Sequence, residues 1–269
     1  MAGVDTGPDM GRTVIDRVVV GSSATCSTDG SLVTPALQAT GLVAFPVAAA
    51  VGGSVAASFT RPGPGFISGV QHLAAGVVLA AAAVEILPDL RRQGHLPFAI
   101  GGFVVAVLLL LGLSTLERRA ESRARSGAFP VALIVLVGVD LLIDGVLVGL
   151  STVVSGRQAV IVTVALTLEI VFLALSISIE LSSRGFPRRI SAGVPAGLGL
   201  ATAVGAIGGA ALLAGAPSVV LAAMLAFAAA ALLFLVTEEL LVEAHETPDT
   251  PVLTGLFFLG FLLVYAIGG

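Results

Sequence analysis

Eight runs of apolar residues, each about as long as a bilayer-crossing helix, constrain this chain more than any other feature. They fall at about 33–58, 66–90, 97–116, 129–153, 157–181, 191–214, 217–243 and 251–268. A transmembrane helix needs ~20 mainly apolar residues, and only 11% of the residues are charged. The sequence therefore predicts an all-α integral membrane protein built as an eight-helix transmembrane bundle.

The apolar runs also divide the chain into regions. Residues 1–31 are polar and lack a signal-peptide core, so they are predicted to form a flexible tail that carries the single Cys26. The transmembrane domain is expected over 32–269, with one charged loop at 117–128, "ERRAESRARSGA". The net charge of −4 argues against nucleic acid as a partner and leaves the lipid bilayer as the predicted surroundings.

The distribution of arginines predicts the orientation in the membrane. Eight helices place both termini on one side. Basic residues favour the cytoplasmic side. The predicted side opposite the termini has eight arginines: Arg61, Arg118, Arg119, Arg123, Arg125, Arg184, Arg188 and Arg189. The side of the termini has five: Arg12, Arg17, Arg91, Arg92 and Arg157. We expect a plasma-membrane protein with both termini outside the cytoplasm.

Carboxylates within or at the ends of the apolar runs are the candidate functional residues. An acid at the centre of a lone transmembrane helix costs about 2.5–3.5 kcal/mol, and no arginine lies deep in any run. Such acids normally face the bundle interior and indicate a functional site. There are seven: Glu85, Asp140, Asp144, Glu169, Glu180, Glu238 and Glu239.

Helical spacing brings some of these acids together. Asp140 and Asp144 are four residues apart and share a helix face, next to a Gly145–Gly149 pair typical of close helix packing. A tight connection near Ser155 makes helices 4 and 5 antiparallel neighbours, so Glu169 is expected to face both aspartates. Close carboxylates need a proton or a cation to neutralise them. All-oxygen ligands suit Mn²⁺, Mg²⁺ or Ca²⁺.

The acids near helix ends leave two interpretations open. Glu180 and the Glu238–Glu239 pair could reach water without any further role, and both His72 and His245 could be interfacial residues. Alternatively, His245 has three acids around it in the sequence, Glu239, Glu243 and Glu246. That cluster is a candidate metal relay at the cytoplasmic mouth.

A faint internal repeat links helices 2 and 7. Helix 2 ends in "AVEILPDL", with Glu85 and Asp89, and helix 7 ends in "TEELLVEAHE", with Glu239 and Glu243. Each stretch reads Glu-apolar-Leu-x-acid after an alanine-rich run. The two helices run in opposite directions in the predicted topology, which is the arrangement of an inverted-repeat transporter.

Three stretches give the chain a resemblance to the ZIP (Zrt/Irt-like) metal transporters, particularly their prokaryotic branch. They are "HLAAGVVLAAAAVEILPDL" (72–90), "LVTEELLVEAHE" (235–246) and "DLLIDG" (140–145). The resemblance implies two three-helix ends related by inversion around helices 4 and 5, a 3+2+3 arrangement, and a metal site on the two central helices. It places Asp140 and Asp144 at two ligand positions of helix 4. Glu169 falls on helix 5, and Glu238 or Glu239 at an exit-side ligand.

The sequence departs from the family pattern at several of these positions. Leu141, Ile143, Leu168 and Phe172 replace residues of the family's motifs, and helix 6 has no acid. The predicted centre is therefore one site made of Asp140, Asp144 and Glu169 rather than two. The missing histidines should weaken a preference for zinc, which favours nitrogen and sulfur ligands.

The leading hypothesis is a transporter that carries divalent metal ions, such as zinc, manganese or iron, into the cytoplasm. Glu85 and Asp89 would gather the ion outside, and Glu239, Glu243 and His245 would receive it inside. No permanently bound cofactor and no enzymatic activity are expected, and a homodimer is compatible with the sequence. The alternatives are a ZIP-like sensor or scaffold that does not transport, and a membrane-embedded aspartyl hydrolase.

Overall fold

The computed structural model of the chain describes residues 30–60, 63–123, 129–248 and 250–268, without the side chains of 30–34, 121, 123 and 268. Most of the predicted polar tail, with Cys26, therefore lies outside the described residues, as does the part of the predicted loop at 124–128. Every regular element in the described part is helical.

Eight helices follow one another along the described chain. Seven are long and apolar enough to cross a membrane, and the eighth is a shorter apolar helix. The helices are α1 (Gly30–Phe59), α2 (Pro64–Gln93), α3 (Leu96–Arg123), α4 (Val131–Val154), α5 (Gly156–Ser183), α6 (Arg188–Leu213), α7 (Ser218–Ala244) and α8 (Pro251–Gly268). The predicted apolar runs are confirmed, and the chain is a multi-pass helical membrane protein.

The helix boundaries follow local sequence signals. Pro64 begins α2, where its fixed φ suits the first turn. Gly94 and Gly185 follow α2 and α5 with positive φ values of 71° and 90°, the left-handed conformation that glycine adopts at helix ends. α3 extends to Arg123, beyond its apolar run, because Glu, Arg and Ala all favour helix once the chain leaves the apolar region.

Two of the helices contain a six-residue π-helical segment. It covers Ala81–Ile86 in α2 and Leu235–Leu240 in α7. In each segment the residue that follows donates its N–H to the carbonyl five residues earlier, from Leu87 to Ala82 and from Leu241 to Val236. The segments follow α-helical stretches of 17 residues in both cases. Such π segments often occur at functional sites.

The helices α1, α4, α5 and α6 pack against one another. α4 packs on α6, α1 packs on α5 and α6, and two further pairs join α2 to α8 and α3 to α7. A Cβ atom at Gly145 or Gly149 would collide with the carbonyl oxygen of Thr202 or Ala206 of α6. Close packing, the predicted role of this glycine pair, is therefore confirmed, and it positions the aspartate-bearing face of α4.

Candidate metal centre

Three carboxylates from three different helices converge inside the bundle. Asp140 of α4, Glu169 of α5 and Glu239 of α7 each offer one oxygen atom, and these atoms all lie within 4.8 Å of one another. Oxygen ligands of Ca²⁺ lie at about 2.3–2.6 Å from the ion, so two of them on opposite sides are up to ~5 Å apart. The cluster therefore has the size of a single cation site.

Each carboxylate reaches the centre for a local reason. α4 and α5 meet at Ser155, and Asp140 and Glu169 lie almost equally far from it along the chain. Antiparallel neighbours bring such residues to the same depth. Glu239 belongs to the π-helical segment of α7, where the wider turn changes the direction of the side chain relative to a regular helix.

Asp144 is the fourth acid of this region, one turn from Asp140 toward Ser155. Its side chain is 6% exposed and that of Glu169 is 2% exposed. Electrostatic repulsion links Asp144 to Asp140 and Glu169. Asp144 Oδ2 and Glu169 Oε2 are buried and make no hydrogen bond within the described part of the chain. A buried acceptor without a partner costs about 1–3 kcal/mol, so these oxygen atoms are suited to a ligand.

The two flanks of the centre differ. Asp140 and Glu239 are half-buried, and the neighbouring Glu238 is exposed. Toward Ser155, the facing turns of α4 and α5 carry apolar side chains that are at most 1% exposed: Leu147, Leu150, Val162 and Leu166. This apolar layer separates the carboxylates from the α4–α5 connection.

Glu85 and Asp89 lie away from the centre, on the far side of that layer. The Glu85 carboxylate lies 3.5 Å from Arg157 Nε, and Arg92 donates to Asp89 at 3.0 Å. The four residues line one cavity of about 490 Å³ together with Val84, Pro88, Gln93, Val154 and Ser155. The expected gathering site therefore contains arginines as well as acids.

Two further acids are paired at helix ends. Arg184 donates to Glu180 at 2.6 Å, and Arg118 lies 3.5 Å from Glu238. Glu180 is 11 residues from Glu169, about 16 Å along the helix axis. Although no arginine lies deep in any apolar run, long arginine side chains from the helix ends reach Glu85, Glu180 and Glu238.

Glu243 and His245 lie beyond Glu239 at the end of α7, where they meet the beginning of α2. Gln71 Nε2 donates to Glu243 Oε2 at 3.0 Å, and the rings of His72 and His245 have centroids 5.5 Å apart. His72 is only 3% exposed. The end of α7 therefore covers the His72 side chain.

The positions that depart from the ZIP pattern are occupied by core residues. Leu141 is 2% exposed and Phe172 is 6% exposed, and Leu168 packs against the same apolar core as Phe172. These side chains contribute to the packing between helices. The described centre therefore consists of carboxylates alone.

Sequence reasoning did not single out Glu117 or Arg157 as partners of the acids. Glu117, at the end of α3, interacts electrostatically with Glu239. Arg157 contacts Glu85 and also donates to the backbone carbonyl of Ile267. Both residues lie at helix ends far along the chain from their partners, so no local spacing pattern could have indicated these contacts.

Comparison with known proteins adds no identification. No protein-family model matches the sequence, and no curated protein matches it.

Proposed function

We propose that this protein is a transporter for divalent cations, which bind at Asp140, Glu169 and Glu239 and are neutralised with the help of Asp144. The observation that carries the proposal is the convergence of three carboxylates from three helices within 4.8 Å. Four acids so close together inside an apolar bundle repel one another. A bound cation removes this repulsion, and acids deep in a membrane protein commonly mark ion pathways.

The ligand set favours hard or borderline cations. Carboxylate oxygens suit Mn²⁺, Mg²⁺ and Ca²⁺, whereas imidazole and thiolate suit Zn²⁺. Because the centre contains four carboxylates and no histidine among the described residues, we expect Mn²⁺ to be carried in preference to Zn²⁺. Glu243 and His245 would follow the centre on the way to the cytoplasm.

A 3+2+3 inverted repeat of the ZIP type is the architecture that we propose for this transporter. The matching π-helical segments of α2 and α7 support it, and so do the equivalent helix pairs, α2 with α8 and α7 with α3. Movement of one repeat against the other would open the centre to each side of the membrane in turn, as in other inverted-repeat transporters.

The burial pattern supports access from one side at a time. The apolar layer of Leu147, Leu150, Val162 and Leu166 separates the centre from the α4–α5 connection, while Asp140 and Glu239 are half-buried on the other flank. With the arginine-rich side in the cytoplasm, the centre would face inward in this conformation. Both termini would lie outside, in a plasma membrane.

Uptake into proteoliposomes tests this proposal. We expect wild-type protein to carry Mn²⁺ and Asp144→Asn to abolish uptake, because the variant removes a charge from the centre and keeps the shape of the side chain. Asp89→Asn is the matched control, since Asp89 pairs with Arg92 at a helix end, and it should retain most uptake. All proteins must elute as a single species in detergent.

The outcomes separate the alternatives. Full uptake by Asp144→Asn would contradict the proposed site. Failure of the wild-type protein to carry any of Mn²⁺, Zn²⁺, Fe²⁺, Cd²⁺ and Mg²⁺, while one of them still binds in detergent, would favour a sensor or scaffold with this fold.

A further inference from the structure

Gln158 is a buried polar residue that plays no part in the carboxylate centre. It lies in the first turn of α5, next to the exposed Arg157, and its own side chain is 1% exposed. Neither its Nε2 nor its Oε1 makes a hydrogen bond within the described part of the chain. Burying amide donors and acceptors without partners is destabilising. The packing around the first turn of α5 is therefore weakened by this side chain.

The local sequence offers one ordinary role for Gln158, which the structure excludes. Ser155 and Gln158 have the spacing of a capping box, in which the side chain of the third helical residue accepts the N–H of the residue before the helix. The Ser155 N–H donates instead to the carbonyl oxygen of Ser151 at 2.9 Å, and the Ser155 side chain makes no capping hydrogen bond. The Gln158 amide therefore does not cap α5.

Gln158 lies between the cavity of about 490 Å³ and the apolar layer. The adjacent Arg157 lines that cavity and contacts Glu85 of the π-helical segment of α2, a segment that packs against α5. Deeper in the bundle, spacings of four and seven residues place Val162 of the apolar layer and then Glu169 on the same face of α5 as Gln158. An amide without partners thus lies on the line from the cavity to the carboxylate centre.

We propose that Gln158 promotes opening of the bundle on the side of this cavity. While α2 and α5 are packed together, the amide has no partner. When they separate, water from the cavity hydrogen-bonds to the amide, so the loss of this penalty favours the open conformation. The apolar layer has the opposite effect, because opening exposes its side chains to water. The use of this opening in alternating access rests on the proposed transport function, whereas the opening itself does not.

A single thiol can report the opening. The sequence has one cysteine, so Cys26→Ser gives a background without thiols. Ser151 lies four residues before Ser155 and Gln158 three residues after it, which places them at a similar depth on antiparallel helices. Ser151 is buried on the face of α4 that carries Asp144. In Ser151→Cys, a water-soluble reagent reaches the thiol when the cavity side opens.

The experiment compares Gln158→Met with its parent, the Cys26→Ser and Ser151→Cys protein, in lipid nanodiscs that leave both faces accessible. Methionine has nearly the length of glutamine and lacks the amide. We expect a methanethiosulfonate reagent to modify the introduced thiol about fivefold or more slowly in the variant, since the variant removes the penalty of the packed conformation. The Tm in detergent should rise by about 2–4 °C.

Ser178→Ala is the matched control in the same helix. Ser178 Oγ is also buried and has no hydrogen-bond partner within the described residues. It lies nine residues after Glu169, on the opposite face of α5. Removal of this hydroxyl should raise the Tm without slowing modification of the thiol, because the Ser178 side chain is not on the line from the cavity to the centre.

The outcomes are distinct. Modification that is unchanged or faster in Gln158→Met, or a lower Tm, would overturn the proposal, because the amide would then stabilise the packed conformation. Equal slowing in Ser178→Ala, or no modification in the parent protein, would also overturn it. Slower modification in Gln158→Met alone, together with a wild-type protein that carries no Mn²⁺, would support this role of Gln158 and contradict the proposed transport.

Discussion

The two π-helical segments have similar local structures but different surroundings. Glu85 is the fifth residue of Ala81–Ile86, and Glu239 is the fifth residue of Leu235–Leu240. Glu85 lies 3.5 Å from Arg157 at the edge of a cavity that contains charges of both signs. Glu239 lies with Asp140 and Glu169 in a cluster of like charges.

This difference shows that the partner, and not the local sequence, decides what a membrane carboxylate does. An arginine beside a glutamate neutralises it permanently and produces a structural contact. A glutamate among other carboxylates needs a proton or a cation to neutralise it. The same kind of π-helical segment therefore lies at a structural contact in α2 and at a candidate ion site in α7.

The largest expected effect is the difference between Glu239→Gln and Glu85→Gln. Glu239→Gln removes the charge of one of the three converging carboxylates, so we expect Mn²⁺ uptake to fall at least roughly tenfold, equivalent to about 1.4 kcal/mol. Glu85→Gln should lower uptake much less, because Arg157 already neutralises Glu85. Mn²⁺ uptake into proteoliposomes, measured for the two variants side by side, gives the difference. Equal losses of uptake would contradict the different roles assigned to Glu239 and Glu85.

An intermediate effect on stability and uptake is expected from a substitution that disturbs the helix packing around the central acids. Gly145→Ala would push a methyl group into the carbonyl oxygen of Thr202, forcing α4 away from α6. Overpacking of this kind costs about 1–3 kcal/mol, and it should lower both the Tm in detergent and the uptake, because Asp144 is the adjacent residue.

Gly208→Ala in α6 is the control for that variant. A Cβ atom at Gly208 has nothing within 4 Å, so we expect a Tm equal to or slightly above that of the wild type. A Gly145→Ala protein with unchanged Tm would show that the α4–α6 contact is looser than the structure indicates.

The smallest effect is expected at the Glu85–Arg157 pair itself. The two side chains are 11% and 50% exposed, and ion pairs with exposed partners contribute about 0.2–1 kcal/mol. A double-mutant cycle with Glu85→Gln and Arg157→Ala, read out by unfolding in detergent, should give a coupling in this range. The more exposed Glu238–Arg118 pair, at 44% and 71%, should give less. A coupling energy of zero between Glu85 and Arg157 would contradict a structural role for this ion pair.

Much of the central site could be predicted from helical spacing. Asp140 and Asp144 share a face because they are four residues apart, and the tight turn at Ser155 brings Glu169 opposite them. The arginine partners could not be predicted in the same way. Arg157 is 72 positions from Glu85 in the numbering of the chain, and only the packing of α5 against the π-helical segment of α2 brings them together.

The histidines illustrate the same limit. Their positions near helix ends do not indicate that the end of α7 covers His72 and buries it. Sequence periodicity describes one helix at a time, whereas burial depends on which helix lies against it.

The sequence by itself determined that this is a multi-pass helical membrane protein with acids inside its apolar runs, because the bilayer imposes a length and composition that can be read directly from the chain. Only the tertiary structure decided which acids are neutralised and which are not. Charges interact through space over a few ångströms, and that distance depends on helix packing rather than on position in the sequence.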